Sequence, residues 1–171
     1  MIDLRAFIRD VPDFPAAGIV FKDITPLLAD GRAFAEAVTL MSEAIAVVEP
    51  TAIVGIESRG FIIGAPIAAR LGVGFVPVRK FGKLPWRTFT QSYDLEYGTD
   101  TLEIHEDAVG SGSRVVVVDD VLATGGTAAA TVDLISGAGA SVEAVSVLLE
   151  LEFLQGRSRL DVPVQALIRY E

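Results

Sequence analysis

The run Arg114-Val115-Val116-Val117-Val118-Asp119-Asp120-Val121-Leu122-Ala123-Thr124-Gly125-Gly126-Thr127 decides how this chain is read. Four consecutive valines are stiff at χ1 and apolar on both faces, the pattern of a strand buried at the centre of a parallel sheet. Two carboxylates close the strand, a loop of small residues follows, and residues 125–137 carry helical periodicity ending at Gly137 and Gly139. In an open parallel sheet, ligands bind beyond the carboxyl ends of the strands. Residues 119–127 are therefore the first place to look for a site.

Outward from this run the chain alternates. Phe34, Val38, Met41, Ile45 and Val48 form one helical stripe, stopped by Glu49-Pro50. Residues 52–56 and 74–78 read as buried strands, with a helix over 61–71 between them and Gly72 at its C-terminal cap. Residues 101–105 alternate and predict a half-exposed strand that carries the lone histidine, His105, as an ordinary surface or hydrogen-bonded residue. Residues 142–149 and 164–168 supply two more strands. The expected fold is α/β, one domain over 1–171, with a mostly parallel sheet flanked by helices. Two stretches break the alternation. The first thirty residues carry turn and breaker signals, and residues 79–98, with Gly82, Pro85 and Gly98, predict a long functional loop.

Composition excludes much. The chain has 171 residues, a net charge of −9, no cysteine and one histidine. Disulfides, thiolate nucleophiles, zinc fingers and multi-histidine metal sites are ruled out. The acidic field repels phosphates at long range, so neither nucleic acid nor an anionic membrane is an expected partner. No apolar stretch approaches the roughly 18–20 residues of a membrane span, and the start lacks a signal-peptide pattern. A cytoplasmic protein is expected.

A phosphate ligand must then be held locally. Glycines at a helix N-terminus let backbone N–H groups approach a phosphate, and the helix dipole favours its charge. Thr124 and Thr127 can add hydroxyl donors. Asp119 and Asp120 can accept from a vicinal diol, and diol plus phosphate make a ribose phosphate. A polar strand end, or a metal-binding acidic pair, is the alternative from these residues alone. Neither a Walker loop nor a dinucleotide G-x-G-x-x-G is present. Arg79, Lys80, Lys83 and Arg87 fall within nine residues uninterrupted by an acid, a cluster suited to a diphosphate or else a solvated basic loop.

Together with Phe14-Pro15, Gly18 to Leu28, Glu57-Ser58-Arg59-Gly60-Phe61, Arg79 to Pro85 and Ser92 to Gly98, the run at 115–127 resembles the type I phosphoribosyltransferases. Within them it resembles the adenine phosphoribosyltransferase family, from about Val11 to the C-terminus. That resemblance implies a type I phosphoribosyltransferase fold with an N-terminal base-binding hood (about 1–30) and a flexible lid loop (about 79–98). It implies transfer of a phosphoribosyl group from phosphoribosyl diphosphate to adenine, giving AMP and diphosphate, by a homodimer using Mg²⁺ held mainly by the substrate.

Residue by residue, the resemblance places the 5′-phosphate on Ala123, Thr124, Gly125, Gly126 and Thr127, and the ribose hydroxyls on Asp119 and Asp120. The diphosphate falls to Glu57, Ser58, Arg59 and Gly60, with Arg79 and Lys83 reaching it from a neighbouring subunit. Adenine falls to Val20, Phe21 and Arg59, with Phe21 stacking. Glu96 is the candidate catalytic group, as proton donor at the purine or as lid anchor. Lys22 stands where family members often have arginine. A sibling transferase, a regulatory sensor of phosphoribosyl diphosphate and a diphosphokinase-related homologue are the competing readings. The hood and the Glu96 segment disfavour the first, and the acidic single-domain length disfavours the other two.

Overall fold

Val115, Val116, Val117 and Val118 are all fully buried in one strand. The computed structural model describes residues 2–94 and 98–171. Over these the chain runs β1 (Arg9–Pro12), β2 (Val20–Asp23), α1 (Thr25–Ala29), α2 (Gly31–Ala46), β3 (Ala52–Ile56), α3 (Arg59–Leu71), β4 (Gly74–Lys80), β5 (Thr88–Asp94), β6 (Thr99–His105), β7 (Arg114–Leu122), α4 (Gly126–Gly137), β8 (Ser141–Leu151) and β9 (Val164–Tyr170). Short 3-10 turns occupy Leu4–Phe7, Glu152–Leu154 and Gly156–Arg159.

The main sheet has the order β5-β6-β4-β3-β7-β8-β9. Its five strands from β4 to β9 in that order are mutually parallel, and the β5–β6 hairpin is added antiparallel at one edge. Successive β7 side chains point to opposite faces. Val116 and Val118 pack with Ile45, Ile63 and Ile67 of α2 and α3, while Val115 and Val117 pack with Leu134 and Ile135 of α4. From β3 the chain moves outward to β4, and from β7 it moves the other way to β8. The crevice between the carboxyl ends of β3 and β7 is thus a topological switch point, where such sheets bind ligands.

Local signals explain the helix ends. Asp30 caps α2 by accepting the N–H groups of Arg32 and Ala33 at 3.0 and 2.9 Å, satisfying donors that have no helical partner. Gly72 ends α3 at φ +69°, the left-handed conformation that favours glycine.

Three expectations are corrected. The hood region is not irregular throughout: β1 and β2 pair antiparallel, Arg9 with Asp23 through Pro12 with Val20. Residues 79–98 are not one long loop. β4 continues to Lys80, and β5 pairs with β6 along its whole length, from Thr88–His105 to Asp94–Thr99. As an edge strand β5 buries little, so Thr88-Phe89-Thr90-Gln91-Ser92-Tyr93-Asp94 shows β-propensity without an apolar period. Finally, β6 is more buried than its alternation predicts. Glu103 is buried, accepting the N–H groups of Lys83 and Leu84 at 2.8 and 2.7 Å. Among the described residues no helix is long and apolar enough to cross a membrane.

Candidate active site

A cavity of about 540 Å³ opens at the switch point. Glu57, Ser58 and Arg59 of the β3–α3 turn line one side, and Asp119 to Ala128 line the other. Gly60 brings these walls together, because a Cβ there would sit 2.6 Å from the Val118 carbonyl oxygen. The first turn of α3 can therefore lie against the β7 backbone. Gly125 adopts φ +81° at the start of α4, aiming the loop ahead of the helix N-terminus.

The two adjacent acids are not equivalent. Asp120 is buried, 4% exposed, and accepts a hydrogen bond from Arg59 Nε. Asp119 faces the cavity, and its Oδ1 accepts the Asp120 N–H at 2.9 Å. Burial, and then the neighbouring Asp120 charge, hold the Asp119 carboxyl well above the usual carboxylate range. Donors arriving from a ligand would relieve that penalty by bonding to the charged form. Asp120 is thus committed to Arg59, and Asp119 is the more available acceptor.

The Glu57 side chain is engaged within the protein. Its carboxylate accepts from Lys83 Nζ at 2.8 Å, from the Lys80 N–H at 3.0 Å and from Arg79 at 3.3 and 3.4 Å. Burial pushes its pKa up, but the hydrogen bonds from Lys83, Lys80 and Arg79 outweigh this and bring it down to about 2. The carboxylate gathers cations and offers nothing to an anion. Arg79 also donates to the Lys83 carbonyl at 3.0 Å, so Arg79, Lys80 and Lys83 form one bonded unit around Glu57.

The hood closes the other end of the cavity. Phe21 meets Phe14 edge-on at 5.3 Å, and the Arg59 guanidinium lies 5.8 Å from the Phe21 ring centroid. Lys22 has a defined role here. It pairs with Asp10 across the ribbon at 2.7 Å and sits 4.2 Å from the Tyr170 ring centroid, fastening the hood to β9. On the hairpin side, the Tyr93 hydroxyl accepts from Thr127 Oγ1 at 3.4 Å.

Residues 25–163 match the phosphoribosyl transferase domain family. The chain is 55% identical over 170 residues to the adenine phosphoribosyltransferase of Rhodospirillum centenum, covering 99% of each. It is 57% identical over 169 residues to that of a Roseiflexus species, covering 98% of each. The crystal structure of adenine phosphoribosyltransferase from Thermoanaerobacter pseudethanolicus superposes with a TM-score of 0.95 at 51% identity, over 98% of both chains. This chain belongs to the adenine phosphoribosyltransferase family.

The Saccharomyces cerevisiae adenine phosphoribosyltransferase, solved in complex with adenine and an imino-altritol bisphosphate, superposes with a TM-score of 0.91 at 44% identity, over 96% of each chain. Of the residues that the family resemblance singled out, Val20, Phe21, Glu57, Ser58, Arg59, Asp119, Asp120 and Ala123 to Thr127 all line the cavity. Gly60 shapes it from behind. Arg79 and Lys83 stand behind Glu57 and are not part of its lining. Glu96 lies outside the described residues. Lys80 of the basic cluster also lines the cavity, and sequence reasoning missed Tyr93, Asp100, Leu151 and Leu154 in the lining of this adenine phosphoribosyltransferase-family cavity. Leu151 ends β8, the strand beside β7, so the carboxyl-end rule that located Asp119 points to it as well.

Proposed function

We propose that the protein is a purine-salvage transferase that moves the 5-phosphoribosyl group from phosphoribosyl diphosphate to adenine, releasing AMP and diphosphate. The observation that carries this reading is one cavity combining a glycine-rich loop at a helix N-terminus, an adjacent acid pair and an aromatic hood wall. The adenine phosphoribosyltransferase of Trypanosoma brucei, 26% identical with a TM-score of 0.89, was solved with AMP, pyrophosphate and ribose 5-phosphate, the chemical pieces this cavity would hold.

Each wall has a task. The loop Ala123 to Thr127 grips the 5′-phosphate through backbone N–H groups and the helix dipole. Asp119 and Asp120 accept from the ribose hydroxyls. The base lies against Phe21, with the Val20 main chain and Arg59 at its edge and Leu154 on the far wall. Attack by adenine N9 at C1′ breaks the bond to diphosphate through an oxocarbenium-like transition state. Preorganised charge and in-line positioning lower that barrier. Glu96 handles the proton at purine N7.

Mg²⁺ bound with the diphosphate would supply charge neutralisation at the leaving group. Arg79 and Lys83 serve the diphosphate of a neighbouring subunit in a homodimer, exchanging the Glu57 carboxylate for phosphate oxygens. Mixing an Arg79→Ala/Lys83→Ala chain with an Asp119→Asn/Asp120→Asn chain then restores activity in heterodimers, whereas sites built from one chain stay inactive at every ratio.

The direct test is adenine consumption followed spectrophotometrically, with hypoxanthine, guanine, uracil and orotate as competitors. Consumption of adenine that requires phosphoribosyl diphosphate supports the reading. Consumption of another base instead overturns it.

A further inference from the structure

The segment after β8 packs its backbone closely against the phosphate loop. A Cβ on Gly125 would collide with the Gly156 carbonyl, and one on Gly156 would collide with the Ala123 carbonyl and come within 2.9 Å of the Gly125 nitrogen. Gly156 therefore forms the seat beneath Ala123 and Gly125. The loop needs such a seat, because adjacent glycines leave its own torsions permissive, while anion-binding N–H groups work best when fixed in advance.

The seat is itself held. Arg157, the next residue, donates Nε to Glu150 Oε1 at 2.9 Å, Nη2 to Glu150 Oε2 at 2.5 Å and Nη1 to the Val164 carbonyl at 2.8 Å. This is a two-pronged fork, the most directional form of an ion pair. Glu150 is 3% exposed and pairs in register with Leu122, the last residue of β7 before the loop. The brace thus starts from the same point of the sheet as the loop that it supports.

We propose that Arg157, anchored on Glu150, is a positioning residue for the phosphate loop, setting the place of the Ala123 to Gly125 backbone through Gly156. The proposal rests on the transferase reading for the identity of the phosphate ligand. It assigns Arg157 no contact with substrate. Arg169 Nε also lies 3.7 Å from Glu150, so loss of Arg157 does not strand the buried carboxylate.

The test compares the unmodified protein with Arg157→Gln, Arg157→Lys and Gly156→Ala, by steady-state kinetics and by calorimetric titration with ribose 5-phosphate. Sub-ångström to ångström misplacement of a binding group costs about tenfold to a hundredfold. Arg157→Gln and Gly156→Ala should each raise the KM for phosphoribosyl diphosphate and the Kd for ribose 5-phosphate about tenfold or more, with the KM for adenine within about twofold. Arg157→Lys, which keeps a charged partner for Glu150, should recover most of the loss.

A purely structural role would instead raise both KM values together, in step with a lowered melting temperature, and lysine would give no selective rescue. That result, or an unchanged Kd for ribose 5-phosphate, overturns the proposal. If Arg157→Gln fails to fold, Arg157→Met takes its place and is read by the same split. An unmodified protein that binds ribose 5-phosphate but does not consume adenine refutes the transferase reading while the Kd comparison still decides the role of Arg157. One that binds no ribose 5-phosphate refutes both.

Discussion

Arg59 Nε is hydrogen-bonded to the Asp120 carboxylate, so one ion pair joins the first turn of α3 to the carboxyl end of β7 at the switch point. Arg59 is thereby aimed towards Phe21, and Asp120 has a cation beside it in a place where a lone carboxylate would be costly.

Asp120→Asn removes the charge and retains the shape. Stranding a buried charge costs about 3–5 kcal/mol. Arg59 is the group left behind, and its side chain is 48% exposed, so it turns to water and the loss falls nearer the about 1.5–3 kcal/mol of a charged hydrogen bond. A lower urea midpoint should accompany a raised KM for phosphoribosyl diphosphate. Asp119→Asn should raise that KM with less loss of stability.

Glu57 makes stability depend on acid. Its pKa falls from 4.5 unfolded to about 2 folded, so its contribution is complete above pH 4.5 and is lost as the pH drops towards 2. That span is worth about 3 kcal/mol as an upper bound, reduced because Lys83 is 49% exposed and the pair is partly screened. Urea midpoints from pH 6 to pH 2.5 should fall more steeply for the unmodified protein than for Glu57→Gln. Equal slopes would remove Glu57 as the source.

Lys22 is one fastening of the hood, beside the Arg5 bond to the Arg169 carbonyl. Its ion pair with Asp10 is worth about 0.2–1 kcal/mol and its placement over Tyr170 about 0.5–1 kcal/mol. Lys22→Met should raise the KM for adenine several-fold and leave that for phosphoribosyl diphosphate nearly unchanged, while Lys22→Arg keeps both interactions. Parallel changes in both KM values would show that the hood does not act on the base alone.

For Glu96 the prediction comes from chemistry. General acid–base assistance contributes about 10²- to 10⁴-fold. Glu96→Leu should therefore lose more than about tenfold in kcat, and Glu96→Gln less than Glu96→Leu. Retention of more than about a tenth of kcat in Glu96→Leu excludes a proton-donor role.

What could be read from the sequence depended on burial. Val115 to Val118 announced the central strand because both their faces are covered, and Gly72 announced a helix end because its conformation is local. Thr88 to Asp94 stayed hidden because an edge strand has no apolar face to advertise. The β1–β2 ribbon was hidden for the same reason, its Arg9-Asp10-Val11-Pro12 strand being mostly exposed. The acid pair and the phosphate loop were legible as contiguous residues. The Glu57 partners, 22 to 26 positions away, exist only once β3 and β4 are paired, and the fork from Arg157 to Glu150 requires two turns of 3-10 helix that no periodicity marks.

The hood has a thermodynamic consequence. It is a ribbon of two four-residue strands outside the main sheet, and isolated ribbons of that size are marginal in water. Its amide hydrogens will exchange through small local openings, while those of β7 will wait for global unfolding. The native ensemble therefore contains molecules with the wall that carries Phe21 ajar and the glycine loop ahead of α4 intact. A flat heterocycle can reach Phe21 through such fluctuations without disturbing the valines beneath.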